Sequence, residues 1–496
     1  MQYRVNSKNL LKAVVKIHRL LGFFLCLLFV IWCLSGFVMM YKSFPSVSEE
    51  DRAKLNKSID LSMVSYPSNI ESFIDMDSIK ALKLIHINKQ AVFNIETLDE
   101  SVFNFTANKI GEKLTYDEND VRSILYDYYK TETVDCKIET ITELDQWIPR
   151  TRYLPHMPIF RVDINDNEGT VWYVSSKTGE VLQKLDFSDK VWAWLGAIPH
   201  WLYFKDIRIN TPLWRFIVIT LSFIGVLLSI AGIVLGINRF LIARKRNQLI
   251  TPYKKKWFKW HHYLGFTFGL FTFTWVLSGL FSMNPIKWSP EDNLSEDQMK
   301  IWTGNNTLKT AFNQTNFITF KDKIKNTKNC LEIDFKEFNR NVVAVVKSAS
   351  FSNSIIFGKK LRITQDSEKF KIYEQKIKVI FPQCTIVNRE VMHTYDDYYY
   401  SRTNKSILPV YKFELDNPEK TALYVDPVSH QVLMKIDQKN RLERWIYHGL
   451  HSFDFAILRD KRPLWDIVVI LFLVGVTLLS ITGAILTYKK LFRIRK

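Results

Sequence analysis

Four long uncharged apolar runs divide the chain, and two long polar segments lie between them. The runs cover residues 20–41, 216–238, 263–286 and 467–488. A helix of about 20 apolar residues crosses the hydrocarbon core of a bilayer. The pattern therefore predicts four transmembrane helices. The first run is longer than the apolar core of a signal peptide, about 7–15 residues, so we expect it to be retained.

The polar segments alternate apolar and polar positions over short stretches. "VYKFEL" (410–415) and "ALYV" (422–425) are separated by turn residues, which is typical of a strand–turn–strand unit. Residues 119–130 have a helical pattern. We therefore expect each polar segment to fold as a small α+β domain.

The excess of positive over negative charge is confined to three short segments. Residues 1–19, 239–259 and 489–496 carry five, eight and five Lys or Arg and no acid, which accounts for the formal net charge of +18. Loops rich in Lys and Arg remain in the cytoplasm, so both termini and the middle loop are predicted to be cytoplasmic. The charge reports topology, and no nucleic-acid partner is needed to explain it.

These patterns predict an order of segments along the chain. They are a cytoplasmic tail with the first helix (1–42), an external domain (43–211) with an interfacial segment (188–206), the second helix (212–240), a basic loop (241–260), the third helix (261–286), a second external domain (287–463), the fourth helix (464–488) and a cytoplasmic tail (489–496).

The second half of the chain repeats the first. Residues 194–214 match 445–465, and 158–186 match 409–437, both at an offset of 251; the first and third helices match at an offset of 243. Halves of parallel topology are related by an axis along the membrane normal. The predicted fold is a four-helix membrane protein made of two parallel-topology repeats, each with an external α+β domain.

The duplication also pairs histidines. His18 falls on His261 at the cytoplasmic ends of the first and third helices, and His200 falls on His451 near the opposite face. Ionisable residues in or near a span are costly and indicate function. Two imidazoles that face each other across an axis fill both axial positions of a haem iron. The spacing thus makes two haem sites plausible, with iron ligands from His18 with His261 and from His200 with His451.

Two unpaired histidines remain as alternative ligands. His262 follows His261 and points about 100° away from it on a helix. His448 lies three residues before His451 and shares its helical face. For any single histidine, a ring placed among lipid headgroups would be the simpler explanation.

Three features of the external segments complete the set of candidates. The stretch "HTYDDYYYSR" (393–402) is either a packed loop or a substrate surface; its candidate residues are Tyr398, Tyr399, Tyr400 and Arg402, with Trp147 in the other half. Cys330 and Cys384 lie in one external segment and are candidates for a disulfide. His430 replaces the turn glycine Gly179 of the first half, so a structural role is expected there.

Several blocks together resemble the PepSY-associated transmembrane family and, within it, the FoxB-like di-haem reductases. They are "KWHHYLGFTFGLFTFTWVLSGLF", "DDYYYSR", "LPVYKFEL", "ALYVDP", "RWIYHGLHSFDF" and "PLWDIVVILFLVGVTLLSITG". The resemblance implies PepSY-like domains in the periplasm, a bacterial inner membrane, two haems b, and reduction of a ferric siderophore or other ferric chelate with release of ferrous iron. The chain departs from the family pattern at His430 and within residues 43–140.

The sequence also bears on the electron donor and on two alternative functions. No G-x-G-x-x-G occurs and the cytoplasmic loops are too short for a flavin domain, so we expect the electron donor to be a quinol or a separate reductase. Membrane lipid is a further expected partner. The alternative function is a binding or protease-regulating module that the helices merely anchor, which predicts no haem. A transporter would have ionisable residues or broken helices at mid-membrane, and the spans carry neither.

Overall fold

The computed structural model describes most of the chain. The described residues are 7–66, 69–289, 291–304, 314–324, 327, 329–339, 341–348, 352–357, 366–402 and 406–493. Arg4, Arg495 and Lys496, which contribute to the charge of the termini, lie outside them. The chain divides into two compact units: a membrane unit (1–44, 189–290 and 441–496) and a sheet unit (45–188 and 291–440).

Helices and strands are numbered in chain order. The helices are α1 (Ser7–Met39), α2 (Glu49–Leu55), α3 (Ile70–Phe73), α4 (Glu118–Tyr129), α5 (Phe187–Leu195), α6 (Ala197–Trp201), α7 (Lys205–Arg208), α8 (Thr211–Lys245), α9 (Lys256–Ser282), α10 (Glu296–Thr303), α11 (Gln314–Ile324), α12 (Asp366–Ile380), α13 (Gln438–Glu443), α14 (Leu450–Ser452), α15 (Ala456–Arg459) and α16 (Leu464–Arg493). The strands are β1 (Ile79–Ile87), β2 (Gln90–Thr97), β3 (Val102–Thr106), β4 (Lys113–Leu114), β5 (Cys136–Ile141), β6 (Ile159–Ile164), β7 (Val171–Ser175), β8 (Val181–Leu185), β9 (Cys330–Phe338), β10 (Asn341–Ser348), β11 (Ser352–Phe357), β12 (Ile386–Met392), β13 (Val410–Leu415), β14 (Ala422–Val425) and β15 (Val432–Ile436).

Four helices are long and apolar enough to cross a membrane, which confirms the prediction. The apolar spans are Asn9–Met39, Thr211–Lys245, Lys256–Ser282 and Leu464–Phe492. The third helix ends at Ser282, not at residue 286 as its hydropathy predicts. Asn284 adopts a left-handed φ of 45° just before Pro285, and a residue that precedes proline is disfavoured in a helix.

The four long helices pack as a ring in which each contacts two neighbours. Helix α1 packs on α8 and α16, and α9 packs on the same two helices, so α1 and α9 occupy opposite corners. Large apolar side chains such as Phe24, Phe216 and Leu270 remain exposed on the ring, whereas small polar residues such as Ser229 and Ser278 are buried inside it. An apolar exterior and a polar interior suit a bundle that is surrounded by lipid.

The sheet unit contains three antiparallel sheets, and the largest draws strands from both polar segments. Its order is β11-β10-β9-β1-β2-β3-β4, and β1 pairs with β9 through contacts such as Leu82 with Phe335. Two four-stranded sheets follow the orders β5-β6-β7-β8 and β12-β13-β14-β15. The two polar segments therefore share one sheet, which differs from the expectation of a separate domain in each.

The strands and the helix that the sequence pattern predicts are present in the sheet unit. Strands β13 and β14 coincide with "VYKFEL" and "ALYV", and α4 covers the predicted helix. Gly179 and His430 have left-handed φ angles of 66° and 58° at corresponding turns. The His430 ring stacks on Phe338 at 4.8 Å and shares a hydrogen bond with the Tyr373 hydroxyl. It is a buried core residue.

The disulfide considered from the sequence is absent. Cys330 and Cys384 are free, as are the other three cysteines, all of which the structure describes. Cys330 is buried in the core of the seven-stranded sheet, whereas Cys384 packs beside the β12–β15 sheet. Their separate surroundings explain why a shared segment does not bring them together.

Candidate functional site

The membrane unit brings His18 and His261 together. These residues lie near the starts of α1 and α9, and their ring centroids are 6.3 Å apart. Nδ1 of His18 lies 3.3 Å from the carbonyl oxygen of Leu228. Nδ1 of His261 lies 3.0 Å from the Thr482 hydroxyl, which already donates to the carbonyl of Leu479 at 2.7 Å. Both Nδ1 atoms must then be donors, so each ring keeps a lone pair on Nε2.

A second pair joins His200 on α6 to His451 on α14. Their ring centroids are 6.4 Å apart. Nδ1 of His200 lies 3.0 Å from the hydroxyl of Ser35 and 3.2 Å from the carbonyl oxygen of Trp32, both on α1. Because a carbonyl only accepts, Nδ1 is protonated and Nε2 is again the free acceptor.

His451 is held in the same way by α9. Its Nδ1 lies 3.0 Å from the Ser278 hydroxyl and 3.2 Å from the Trp275 carbonyl oxygen. Burial, with a smaller contribution from His451, lowers the pKa of His200 to about 4. Burial also lowers the pKa of His451. Both rings of this pair are therefore neutral at pH 7, as metal ligands must be.

A glycine lies against each of the four rings. The distances from a Cβ built on the glycine to Cε1 of the ring are 3.1 Å for Gly232 and His18, 3.5 Å for Gly483 and His261, 3.9 Å for Gly36 and His200, and 3.6 Å for Gly279 and His451. Only the first is tighter than ordinary van der Waals contact. The glycines let the helix backbone approach the rings, as small residues do between membrane helices.

The two pairs lie at opposite ends of the bundle. His18 and Ser35, which mark the two levels on α1, are separated by 17 residues. At 1.5 Å per residue this corresponds to about 25 Å along the helix axis. The hydrocarbon core of a bilayer is about 30 Å thick, so the separation of the pairs is comparable to that thickness.

A cavity of about 1830 Å³ surrounds the first pair. His18, His261 and His262 line it, together with apolar and small residues of all four long helices. Basic side chains also line it: Lys16, Arg19, Arg239, Lys255, Lys256, Lys489 and Lys490. The cavity thus combines two paired imidazoles, apolar walls and positive charge.

The donor set fits haem. Two metal–imidazole bonds of about 2 Å, and about 1 Å from each nitrogen to its ring centre, give a centroid separation of about 6 Å. Both pairs have this separation. No group of three or more His, Cys, Asp or Glu is placed to hold a metal among the described residues. Two imidazoles alone suit a metal whose remaining ligands come from a macrocycle.

The alternative ligands, His262 and His448, lie near these pairs but their rings have other ring partners. The His262 ring turns toward Tyr253, with a centroid distance of 5.8 Å, and its Nε2 lies 3.0 Å from the Gly236 carbonyl oxygen. The His448 ring packs on Tyr447 at 4.9 Å. The rings brought together across the bundle are those that the duplication matches.

The proposed substrate surface is wrong at one residue. Tyr399 is only 4% exposed, donates its hydroxyl hydrogen to the Ile407 carbonyl at 2.8 Å and stacks on Tyr424 at 5.1 Å. It is a core residue, because the loop folds back over its own sheet. Of the others, Arg402 is exposed, while Tyr398, Tyr400 and Trp147 are half-buried.

Sequence reasoning missed the residues that hold the histidines. Ser35 and Ser278 belong to the L-S-G stretch common to the first and third helices. Gly232 and Gly483 belong to S-I-A-G and S-I-T-G, which match at the offset of 251. Both signals are visible in the sequence, but their meaning depends on which helix faces which.

Comparison with known proteins adds no further information: no family model matches this chain, and no curated protein matches it.

Proposed function

We propose that this chain is a membrane reductase with two b-type haems, one held by His18 and His261 and the other by His200 and His451. It passes electrons across a bacterial inner membrane to a ferric siderophore or another ferric chelate in the periplasm. Haem, when bound, supplies reversible one-electron chemistry at a potential that its ligands and surroundings tune.

One observation carries this proposal: four histidines form two pairs, and in each ring Nδ1 is committed to an oxygen of a long helix. Such bonds fix the tautomer and the orientation of a metal-binding imidazole and raise its basicity. A module that is merely anchored has no need of this arrangement at both ends of the bundle.

The residues around the pairs have complementary tasks in the proposal. The serine, threonine and carbonyl oxygens orient the rings, the glycines leave space beside them, and the apolar walls exclude water. The proposed repeat, with its axis along the membrane normal, explains why corresponding stretches provide these groups in each half. The positive termini are proposed to be cytoplasmic and the sheet unit periplasmic, where its PepSY-like sheets would meet the chelate.

Release of iron follows from the change in its charge and hardness. Hard oxygen ligands that suit Fe(III) hold the softer, less charged Fe(II) poorly. One-electron reduction of the chelated ion therefore frees it without any further bond-breaking step by the protein.

The test is the haem content and its redox behaviour. We expect the purified chain to show sharp reduced bands and about two haems b by pyridine haemochrome, as paired histidines require. Addition of a ferric siderophore should reoxidise the reduced protein. A colourless protein that cannot be loaded with haem would contradict the proposal.

A further inference from the structure

The cavity around the first histidine pair contains a hydrogen-bond acceptor with no partner. Nε2 of His262 lies 3.0 Å from the carbonyl oxygen of Gly236. A carbonyl only accepts, so Nε2 carries the proton and Nδ1 of the neutral ring is an acceptor. Nδ1 is buried and has no hydrogen-bond partner among the described residues. The residue itself is only 7% exposed.

An unpaired buried acceptor is costly, by about 1–3 kcal/mol, unless a ligand or water satisfies it. The orientation of His262 is the reverse of the paired histidines, in which Nδ1 is engaged and Nε2 is bare. A haem carboxylate cannot serve as the partner, because it also only accepts. The partner must carry an O–H or N–H group.

The walls beside His262 are aromatic. Tyr253 meets its ring edge-on at 5.8 Å, and Phe258, which also lines the cavity, lies 5.7 Å from the Tyr253 ring. Such surroundings favour a flat ring with a hydroxyl group over an aliphatic alcohol.

The cavity has volume for such a ligand in addition to a haem. Pockets for molecules of drug size have about 300–1,000 Å³, and this cavity has about 1830 Å³. Much of its wall comes from helices that are apolar enough to lie in lipid, so the cavity suits a ligand that partitions into a membrane.

We propose that this cavity is the binding site of a lipid-soluble hydroquinone, whose ring hydroxyl donates a hydrogen bond to Nδ1 of His262. The inference rests on the proposed function, because it identifies the class of electron donor. Oxidation of one hydroquinone to the quinone releases two electrons and two protons. Two ferric chelates take up one electron each, and the protons pass to water at this end of the bundle.

The test measures binding with no electron transfer. The haem-loaded full chain, kept reduced with dithionite, is dialysed against decylubiquinol or against its dimethyl ether, which has no hydroxyl hydrogen. We expect the wild type to bind the hydroquinone roughly tenfold more tightly than the ether. His262→Phe keeps a ring but removes the acceptor, so it should bind both probes equally, and His262→Gln should restore part of the preference. His393→Phe, at an exposed histidine of the sheet unit, should behave as the wild type.

Equal binding of both probes to the wild type, or an unchanged preference in His262→Phe, would overturn the inference and leave a water at Nδ1. Loss of haem from His262→Phe and His262→Gln alike would also overturn it, since His262 would then belong to the haem site. The haem content of the same samples, measured by pyridine haemochrome, tests the proposed function separately. Two haems without hydroquinone binding would defeat this inference alone, whereas a chain that takes up no haem would defeat the reductase.

Discussion

The hydroxyl oxygen of Ser278 lies 3.0 Å from Nδ1 of His451. The hydroxyl hydrogen is already donated to the Trp275 carbonyl at 2.9 Å, so the oxygen accepts from the imidazole. His451 is therefore fixed from α9, although it resides on a short helix outside the spans. The same bonds join Ser35 to His200.

Ser278→Ala should weaken haem binding at the proposed second site without abolishing it. The Trp275 carbonyl remains as a partner of His451 at 3.2 Å, so we expect the lower end of the range for such outer partners, about tenfold in affinity. Haem transfer to apomyoglobin measures that affinity, and a redox titration should show a changed potential for one haem only. Ser282→Ala, one turn further along α9, removes a hydroxyl that, within the described part of the chain, bonds only the Gly279 carbonyl, and it should change neither property. Equal effects of the two variants would contradict the role of Ser278.

Gly232→Ala should disturb haem binding at the proposed first site. The added Cβ would lie 3.1 Å from Cε1 of His18, and overpacking of this kind costs about 1–3 kcal/mol. Alanine is otherwise the better helix former by about 1 kcal/mol, so lost haem affinity would be due to the contact and not to the helix.

Gly236→Ala is the matched control, one turn along the same helix. A Cβ at Gly236 meets nothing within 4 Å. We expect its haem content to equal that of the wild type, measured by pyridine haemochrome. If Gly232→Ala also retains both haems with unchanged spectra, the ring of His18 is not constrained as described.

Single histidine variants should separate the two sites. His18→Ala or His261→Ala should lower the haem content from about two to about one, and His200→Ala should remove the other haem, because loss of one axial ligand opens a bis-histidine site. His448→Ala serves as the control and should keep both haems. Loss of a haem in His448→Ala, with retention in a His451→Ala variant, would reverse the assignment of the second site.

The membrane helices were predictable because bilayer thickness imposes a length on apolar runs. The pairing of His18 with His261 was predictable for a different reason: a duplicated sequence places corresponding residues at corresponding positions, whatever the details of packing. Helix geometry also separated His262 from His261, since neighbours on a helix point about 100° apart.

The features of the fold and of the site that could not be predicted depend on contacts between distant segments. The pairing of β1 with β9 joins strands about 250 residues apart, and no local pattern reports such pairing. Tyr399 resembles a surface tyrosine until the loop folds over Tyr424. The partner of each histidine became visible only when the order of helices around the ring was known, although the L-S-G stretches had marked the positions.

The sheet unit offers a test of stability that is independent of haem. Asp51 on α2 accepts hydrogen bonds from Lys184 at 2.7 Å, from Ser48 at 2.5 Å and from Tyr128. Burial opposes the charge, but these bonds outweigh it and lower the pKa of Asp51 to about 2. A lowered pKa in the folded state stabilises the fold above the ordinary value near 4, and this stabilisation is lost as the pH falls toward 2.

Asp51→Asn should therefore destabilise the sheet unit by about 2 kcal/mol at pH 7 and by progressively less below pH 4. Thermal unfolding of the detergent-solubilised chain, followed by circular dichroism at pH 7 and pH 3, measures both effects. The neighbouring variant Glu50→Gln removes an acid that pairs with Lys54 on the solvent side, where Glu50 is 78% exposed, and such surface pairs contribute little. Because both variants remove one negative charge from the same helix, any difference between them reflects the buried bonds. An equal loss in both, or a loss in Asp51→Asn that does not diminish at pH 3, would mean that the charge of Asp51 does not stabilise the unit.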